Sequence, residues 1–264
     1  MGLSPRLEGE QGDAMNADAS GDRLRIELTG AQNALIAAIH ATGKPIVLVV
    51  ASGSAVSIPW AADHIPAIVQ QFYSGQVGGN ALADVLFGDY NPAGRMPLTV
   101  YRGLDDLPPF EDYSMVNRTY RYFEGTPLYP FGFGLSYTSF AYSDLTLAAS
   151  PLKADEDLAL TATVTNTGDQ PGEEVVQAYL SRDDAPVRVP IRQLVAIDRI
   201  TLAPGESKQV RLTIPARWFC VIDEDGKARF VPGMARISVG GSQPDARSIA
   251  LGATPPASAD VTMK

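Results

Sequence analysis

Residues 44–52 read KPIVLVVAS. The run is continuous, apolar and rich in valine, with Pro45 and Gly53 bounding it. An unbroken β-branched run of this length predicts a strand covered on both faces, as in a parallel sheet. Residues 157–169, DLALTATVTNTGD, obey a different rule. Leu158, Leu160, Ala162 and Val164 alternate with polar residues, the mark of a strand with one face in a core. Two periodicities in one chain predict two kinds of domain, meeting near residue 140.

Around the first run the pattern is α/β. LTGAQNALIAAIHATG (28–43) places Gln32 three residues after Thr29, a capping-box spacing. Leu35, Ile36 and Ile39 then form an apolar stripe, and Gly43 is a natural stop. HIPAIVQQFYSG (64–75) reads as a second amphipathic helix, with His64 at its start. GGNALADVLFG (78–88) reads as a third helix, and MPLTVY (96–101) as a short edge strand. Residues 101–137 are crowded with proline, glycine and aromatics, and a stretch of this length without period is expected to contribute to a site.

Around the second run the pattern is all-β. Val176, Ala178 and Leu180 alternate in EEVVQAYLS, as do Val210, Leu212 and Ile214 in KQVRLTIPA, and Ala235, Ile237 and Val239 in MARISVGG. The turn signals NTGD, APGES and DEDG separate them, predicting a β-sandwich. The alanine- and proline-rich tail after Gly252 is expected to be disordered.

Bulk composition narrows the partners. Of 264 residues 45% are apolar, enough to build a core in one large domain or two ordinary ones. The net charge of −9 argues against nucleic acid and anionic membranes as partners, and no basic run exceeds two residues. The single cysteine, Cys220, forms no internal disulfide and is read as filler on the buried face of a strand. His40 and His64 have no partner ligands at metal spacing, so no metal and no cofactor is expected. The N-terminus lacks the basic-then-apolar pattern of a signal peptide, and PIVLVVA is too short to span a bilayer.

Several motifs fall short of known chemistry. VLVVASGSAV has Gly53 but no G-x-G-x-x-G, and neither SGSAVS nor GSQPD is a G-x-S-x-G elbow. DEDG lacks the spacing of a calcium loop and reads as a hairpin turn. GLSPRLEGEQGD (2–13) carries Glu8 and Glu10. Glycosidases need two carboxyl groups, so the pair is a candidate, but chemistry alone favours a solvated acidic loop. In NRTYRYFEG and YPFGFGLSYT, flat rings stand beside Arg118, Arg121 and Glu124, a composition suited to stacking on sugars and bonding their hydroxyls; Arg121 and Tyr122 are the candidate substrate-binding residues. The rings could equally bolt two domains together. NRT also matches an N-glycosylation acceptor.

GLSPRLEGE…GDR, YSGQVGGNALADVLFGDYNPAGRMPLTVY, NRTYRYFEGTPLYPFGFGLSYTSFAYSDL and VTNTGDQPGEEVVQAYL together resemble the C-terminal half of glycoside hydrolase family 3, the family of β-glucosidases and β-xylosidases. The resemblance covers residues 2–241. It implies an α/β sandwich domain followed by a fibronectin type III-like (immunoglobulin-like) β-sandwich. Together with the periodicities it sets expected boundaries: an α/β domain over 1–105, a connecting segment over 106–139, the fibronectin-like domain over 140–252 and a tail over 253–264.

The resemblance also implies chemistry. Members hydrolyse β-glycosidic bonds with retention, using an aspartate nucleophile in an N-terminal (β/α)8 barrel and a glutamate acid/base on a loop of the α/β domain. Residues 7–10, LEGE, resemble that loop, with Glu10 at the acid/base position and Glu8 as the alternative. Gln11 departs from the pattern, standing where glycine is often found. The barrel, its nucleophile and the strand that should precede Gly2 are not in this sequence, so the chain is expected to be a fragment, split subunit or truncated reading frame, inactive alone. The implied partners are β-linked gluco- or xylo-oligosaccharides and a barrel domain; a non-catalytic carbohydrate-binding or interaction module is the alternative. Full-length relatives are often periplasmic or secreted.

Overall fold

The computed structural model describes residues 1–4, 8 and 23–264. They form two compact units. The first comprises Met1–Tyr90, Thr99–Tyr113 and Gly125–Leu128; the second comprises Asn91–Leu98, Ser114–Glu124 and Tyr129–Lys264.

The first unit is α/β. In chain order it contains α1 (Gln32–His40), β1 (Val47–Val50), α2 (Pro59–His64), β2 (Ala67–Gln70) and α3 (Gly78–Phe87). β1 pairs in parallel with β2, from Val47 opposite Ala67 to Val50 opposite Gln70. On the other side of β1 the first residues of the chain run in parallel: Ala51 N–H donates to Met1 O and Leu3 N–H to Ala51 O, both at 2.9 Å. Leu48 and Val50 are buried, whereas Val47 is 51% exposed. The described elements therefore cover one face of β1, not the two its apolar run predicts.

Three local expectations are corrected. Residues 64–75 are not a helix: α2 ends at His64, which is its last residue and not its start, and Ala67–Gln70 is β2. Pro66 is the cause, since the residue before a proline is pushed out of the helical region, and Ile65 is extended at φ −101°, ψ 121°. The Thr29 capping box does not form. Ala31 is the N-cap, and the Gln32 amide instead brackets Gly2, accepting from its N–H at 2.7 Å and donating to its carbonyl at 2.9 Å. Met96–Tyr101 makes no strand, because Pro97 interrupts the ladder. Met96 exchanges bonds with Gly132 and Phe133, while Val100 accepts from Leu128. By contrast α3 ends where expected, with Gly88 at φ +85° in the left-handed region that glycine adopts without strain.

The second unit opens with α4 (Thr119–Tyr122) and continues as a two-sheet sandwich. Its strands are β3 (Phe140–Leu147), β4 (Leu158–Asn166), β5 (Gly172–Ser181), β6 (Gln193–Leu202), β7 (Ser207–Ile214), a small hairpin β8–β9 (Cys220–Ile222, Ala228–Phe230), β10 (Gly233–Gly240) and, after α5 (Ala246–Ala250), β11 (Ala257–Met263). One sheet has the order β11-β10-β5-β6 and the other β3-β4-β7. The predicted alternation is observed in β4, where Leu158, Leu160, Ala162 and Val164 all point into the core. β5 departs from it. Gln177 and Tyr179 on its other face are buried too, because Gln177 donates to Gly132 O and Gly241 O and the Tyr179 hydroxyl donates to Gln177 Oε1.

The expected disordered tail, 253–264, is corrected. Most of it is β11, hydrogen-bonded along β10 from Gly233–Met263 to Val239–Ala257, with Val261 and Met263 fully inside the core. Asn91–Leu98, expected in the α/β domain, belongs to the second unit. Asn91 donates to Pro171 O and accepts from Ser136, and Arg95 reaches Glu174 on β5. DEDG is the β8–β9 turn, as read. Cys220 opens β8 half-buried, and burial pushes its thiol above the usual value.

Candidate functional site

Glu8 lies at the carboxyl ends of the two parallel strands of the first unit. This is where open α/β sheets place their ligand sites. The turn after β1 presents two backbone amides to its carboxylate: Gly53 N–H at 2.8 Å to Oε2 and Ser54 N–H at 2.9 Å to Oε1. The Ser54 hydroxyl donates to Oε1, and the Tyr73 hydroxyl, from the segment following β2, donates to Oε2. Arg23 completes the group. Its Nη1 donates to Ser54 Oγ at 2.6 Å and lies 3.8 Å from Glu8 Oε1.

The surrounding backbone is shaped for this contact. Ser52 is fully buried and its hydroxyl braces the turn by donating to Ser54 O, while Gln70 of β2 donates to Ser52 Oγ. A Cβ at Gly53 would sit 2.9 Å from the Tyr73 ring, so any side chain there would push the ring aside. Phe72, just before Tyr73, has φ +57°, a conformation rare for a bulky residue and one that concentrates at functional sites.

The electrostatics follow. Burial pushes the Glu8 carboxyl up, but the bonds from Ser54, Tyr73 and the two amides outweigh it, leaving the group below the usual carboxylate range. Tyr73 is pushed up to about 12, by burial first and then by its bond to the carboxylate. Glu8 is thus held ionised and fully bonded, the opposite of what a general acid needs. Glu10 lies outside the described residues.

Arg121 and Tyr122 belong to the second unit, Glu8 to the first. Both lie on α4, whose first residue Thr119 (φ +56°) and the preceding Asn117 (φ +55°) are in the left-handed region. Arg121 accepts from Ile191 N–H at 2.7 Å through its carbonyl, and its guanidinium lies 5.9 Å from the Tyr120 ring centroid. Tyr120 stacks on Phe131 at 4.0 Å and its hydroxyl accepts from Leu194 N–H. These aromatic contacts fasten the segment to β5 and β6 within its own unit.

Two further clusters were hidden by sequence distance. His40, Trp60 and His64 meet, with Trp60 stacked on His64 at 4.4 Å and His40 edge-on to both. Among the described residues no group of three or more potential metal ligands is found. In the second unit a half-open cavity of about 260 Å³ has Arg95, Glu174 and Tyr142 among its lining residues, and these bond to one another. Sequence reading missed Ser54, Tyr73 and Arg23 as partners of Glu8. Ser54 lies in SGSAVS and Arg23 in GDR, both noticed for other reasons, and no local period joins them.

The described residues thus form an α/β unit, with Glu8 held at its strand ends, and a β-sandwich unit. Residues 1–137 match the glycosyl hydrolase family 3 C-terminal domain, and residues 174–243 match the fibronectin type III-like domain. The chain belongs to glycosyl hydrolase family 3. It is 39% identical over 227 residues to a β-xylosidase from Formosa agariphila, covering 84% of this chain and 31% of that protein. It is 36% identical over 236 residues to a periplasmic β-glucosidase from Salmonella typhimurium, covering 85% and 31%. The solved structure of a β-glucosidase from Erythrobacter marinus superposes with a TM-score of 0.79 at 34% identity, over 98% of this chain and 34% of the other. The chain spans about a third of the length of the curated relatives it matches. Among the described residues no helix is long and apolar enough to cross a membrane.

Proposed function

We propose that this chain is the part of a retaining, exo-acting β-glycosidase that supplies the acid/base loop, acting on β-glucosides or β-xylosides. The observation that carries this reading is the match of residues 1–137 to the family's C-terminal domain, supported by the bonds that hold Glu8 at the carboxyl ends of β1 and β2. Glu10 is the acid/base. It protonates the departing glycosidic oxygen while a carboxylate nucleophile attacks the anomeric carbon. As carboxylate it then takes a proton from the water that releases the sugar. The nucleophile comes from a (β/α)8 barrel, and the 264 residues alone have no turnover, because one carboxylate cannot run a double displacement.

The test is reconstitution. The barrel of the similar Formosa agariphila β-xylosidase is mixed with or fused ahead of this chain, and aryl β-xyloside and β-glucoside hydrolysis is followed. Turnover that requires both parts is expected. Turnover by the chain alone, or no gain in either format, would refute the reading.

A further inference from the structure

The half-open cavity of the second unit is built around a charge pair that the protein leaves partly unused. Every residue lining it belongs to that unit. Arg95 and Glu174 lie in the lining with side chains only 9% and 2% exposed. A buried ion pair is stable only where further hydrogen bonds meet its remaining lone pairs and protons. A carboxylate has about four acceptor sites, and a guanidinium has five N–H donors. Among the described residues Glu174 accepts a bond on each oxygen, from the Tyr142 hydroxyl at 2.7 Å and from Arg95 Nη2 at 2.8 Å. Arg95 otherwise bonds only to carbonyls, Nε to Gly241 O at 2.8 Å and Nη1 to Gly94 O at 3.1 Å. Acceptor capacity on Glu174 and an N–H on each Nη of Arg95 therefore remain for a ligand.

The rest of the lining keeps that space clear. Gly241 carries no side chain, and a Cβ there would run into Glu174 Oε1 and push the carboxylate aside. Gly252 stands at φ +101°, which glycine adopts without strain. Leu135 and Phe140 add apolar surface, and Ser139 and Thr254 add hydroxyls.

This lining selects a chemistry. A ligand of either charge meets one member of the Arg95–Glu174 pair as a like charge, which is unfavourable. A vicinal diol suits both members: one hydroxyl donates to the carboxylate while the neighbouring oxygen accepts from the guanidinium. The C–H face of the same ring finds Leu135 and Phe140. A volume of about 260 Å³ is small for a ligand pocket and holds a single ring.

We propose that this cavity is a non-catalytic binding site for one neutral polyhydroxylated ring, a pentose or hexose unit, held by Glu174 and Arg95. The ring arrives as a free monosaccharide or as the end unit of a chain. The site goes beyond the role given to Glu10, and its test reads no turnover, so each stands or falls without the other.

The experiment titrates the full chain with D-xylose, D-glucose and xylotetraose and follows amide NMR shifts. Saturable shifts at Gly241, Gly252 and Thr254 are expected, with Kd of about 1–10 mM as the efficiency of small ligands allows, while Val49 and Val50 of the first unit stay fixed. Binding of xylotetraose supports the chain end as the natural form, and binding of the monosaccharides alone supports the free sugar. Glucuronate and glucosamine, similar in size but charged, are expected to bind at least about fivefold more weakly than glucose. Glu174→Gln, which keeps the shape and removes the charge, is expected to weaken binding about tenfold. Ala253→Leu, at a half-buried position of the lining, is expected to fill the cavity and abolish the shifts. Should Glu174→Gln unfold the sandwich, Ala253→Leu decides. No saturable shift with any neutral sugar overturns the proposal, as does unchanged binding in Ala253→Leu or charged sugars binding as tightly as neutral ones.

Discussion

Arg95→Met is expected to destabilise the second unit by about 3–5 kcal/mol at pH 8. Arg95 Nη2 donates to Glu174 Oε2 at 2.8 Å and Nε donates to Gly241 O at 2.8 Å. The Glu174 side chain is only 2% exposed, and without Arg95 its remaining bonded donor is the Tyr142 hydroxyl. An uncompensated carboxylate would then stand inside β5. Burial already raises the Glu174 pKa above 4.5, against the opposing pull of Arg95, and losing Arg95 raises it further.

The sign of the pH dependence follows. Between the unfolded value and the raised folded value, the folded state binds more protons than the unfolded one, so stability falls as pH rises. The cost of Arg95→Met therefore shrinks by up to about 1.4 kcal/mol for each pH unit lowered between the variant's folded value and the lower wild-type one. Urea unfolding followed by Trp218, which packs against the sandwich core, isolates this unit once Trp60 is replaced by Phe. Adding Glu174→Gln to Arg95→Met is expected to recover a substantial part of the loss, because the buried charge is gone. A single-variant cost below about 1 kcal/mol at pH 8, or a cost that grows on acidification, would refute the reasoning.

Other perturbations follow from the same structure. Tyr179→Phe removes the donor to buried Gln177 Oε1 and should cost about 1–3 kcal/mol, read by the same urea transition. Deleting residues 253–264 strips β11 from β10 and takes Val261 and Met263 out of the core, so the sandwich should lose its cooperative melt; an unaltered melt would return the tail to a dispensable role. Because the folded Glu8 pKa lies below its unfolded value of 4.5, the contribution of the bonds from Ser54, Tyr73 and Gly53 is present above 4.5 and fades as pH falls through the folded value. Gly53 and Ser54 amide shifts should accordingly move only below that point.

The sandwich was the more legible half because its strands obey a local rule. β4 alternates, and its alternate residues are the core. Even there the rule stops at β5, whose outer face is buried by Gly132 and Gly241, residues far away in the chain. In the α/β unit the apolar residues of 64–75 suit a helix as well as a strand, and Pro66 was the cue that decided it. β11 was masked by alanine and proline around a strand whose burial depends on pairing with β10. The partners of Glu8 come from three separate stretches, so no periodicity joins them. The family resemblance pointed to Glu8 and Glu10 but not to the contacts that hold Glu8.

The central claim is that Glu10 delivers the proton to the leaving group, and leaving-group dependence tests it most directly. In the barrel-fused enzyme, kcat/KM is compared for phenyl and 2,4-dinitrophenyl β-xylosides. For Glu10→Gln the account predicts a loss of about 10²–10⁴-fold with the phenyl substrate, which needs protonation, and little loss with the dinitrophenyl one, which does not. An equal loss on both substrates, or this selective pattern appearing in Glu8→Gln instead, would contradict it.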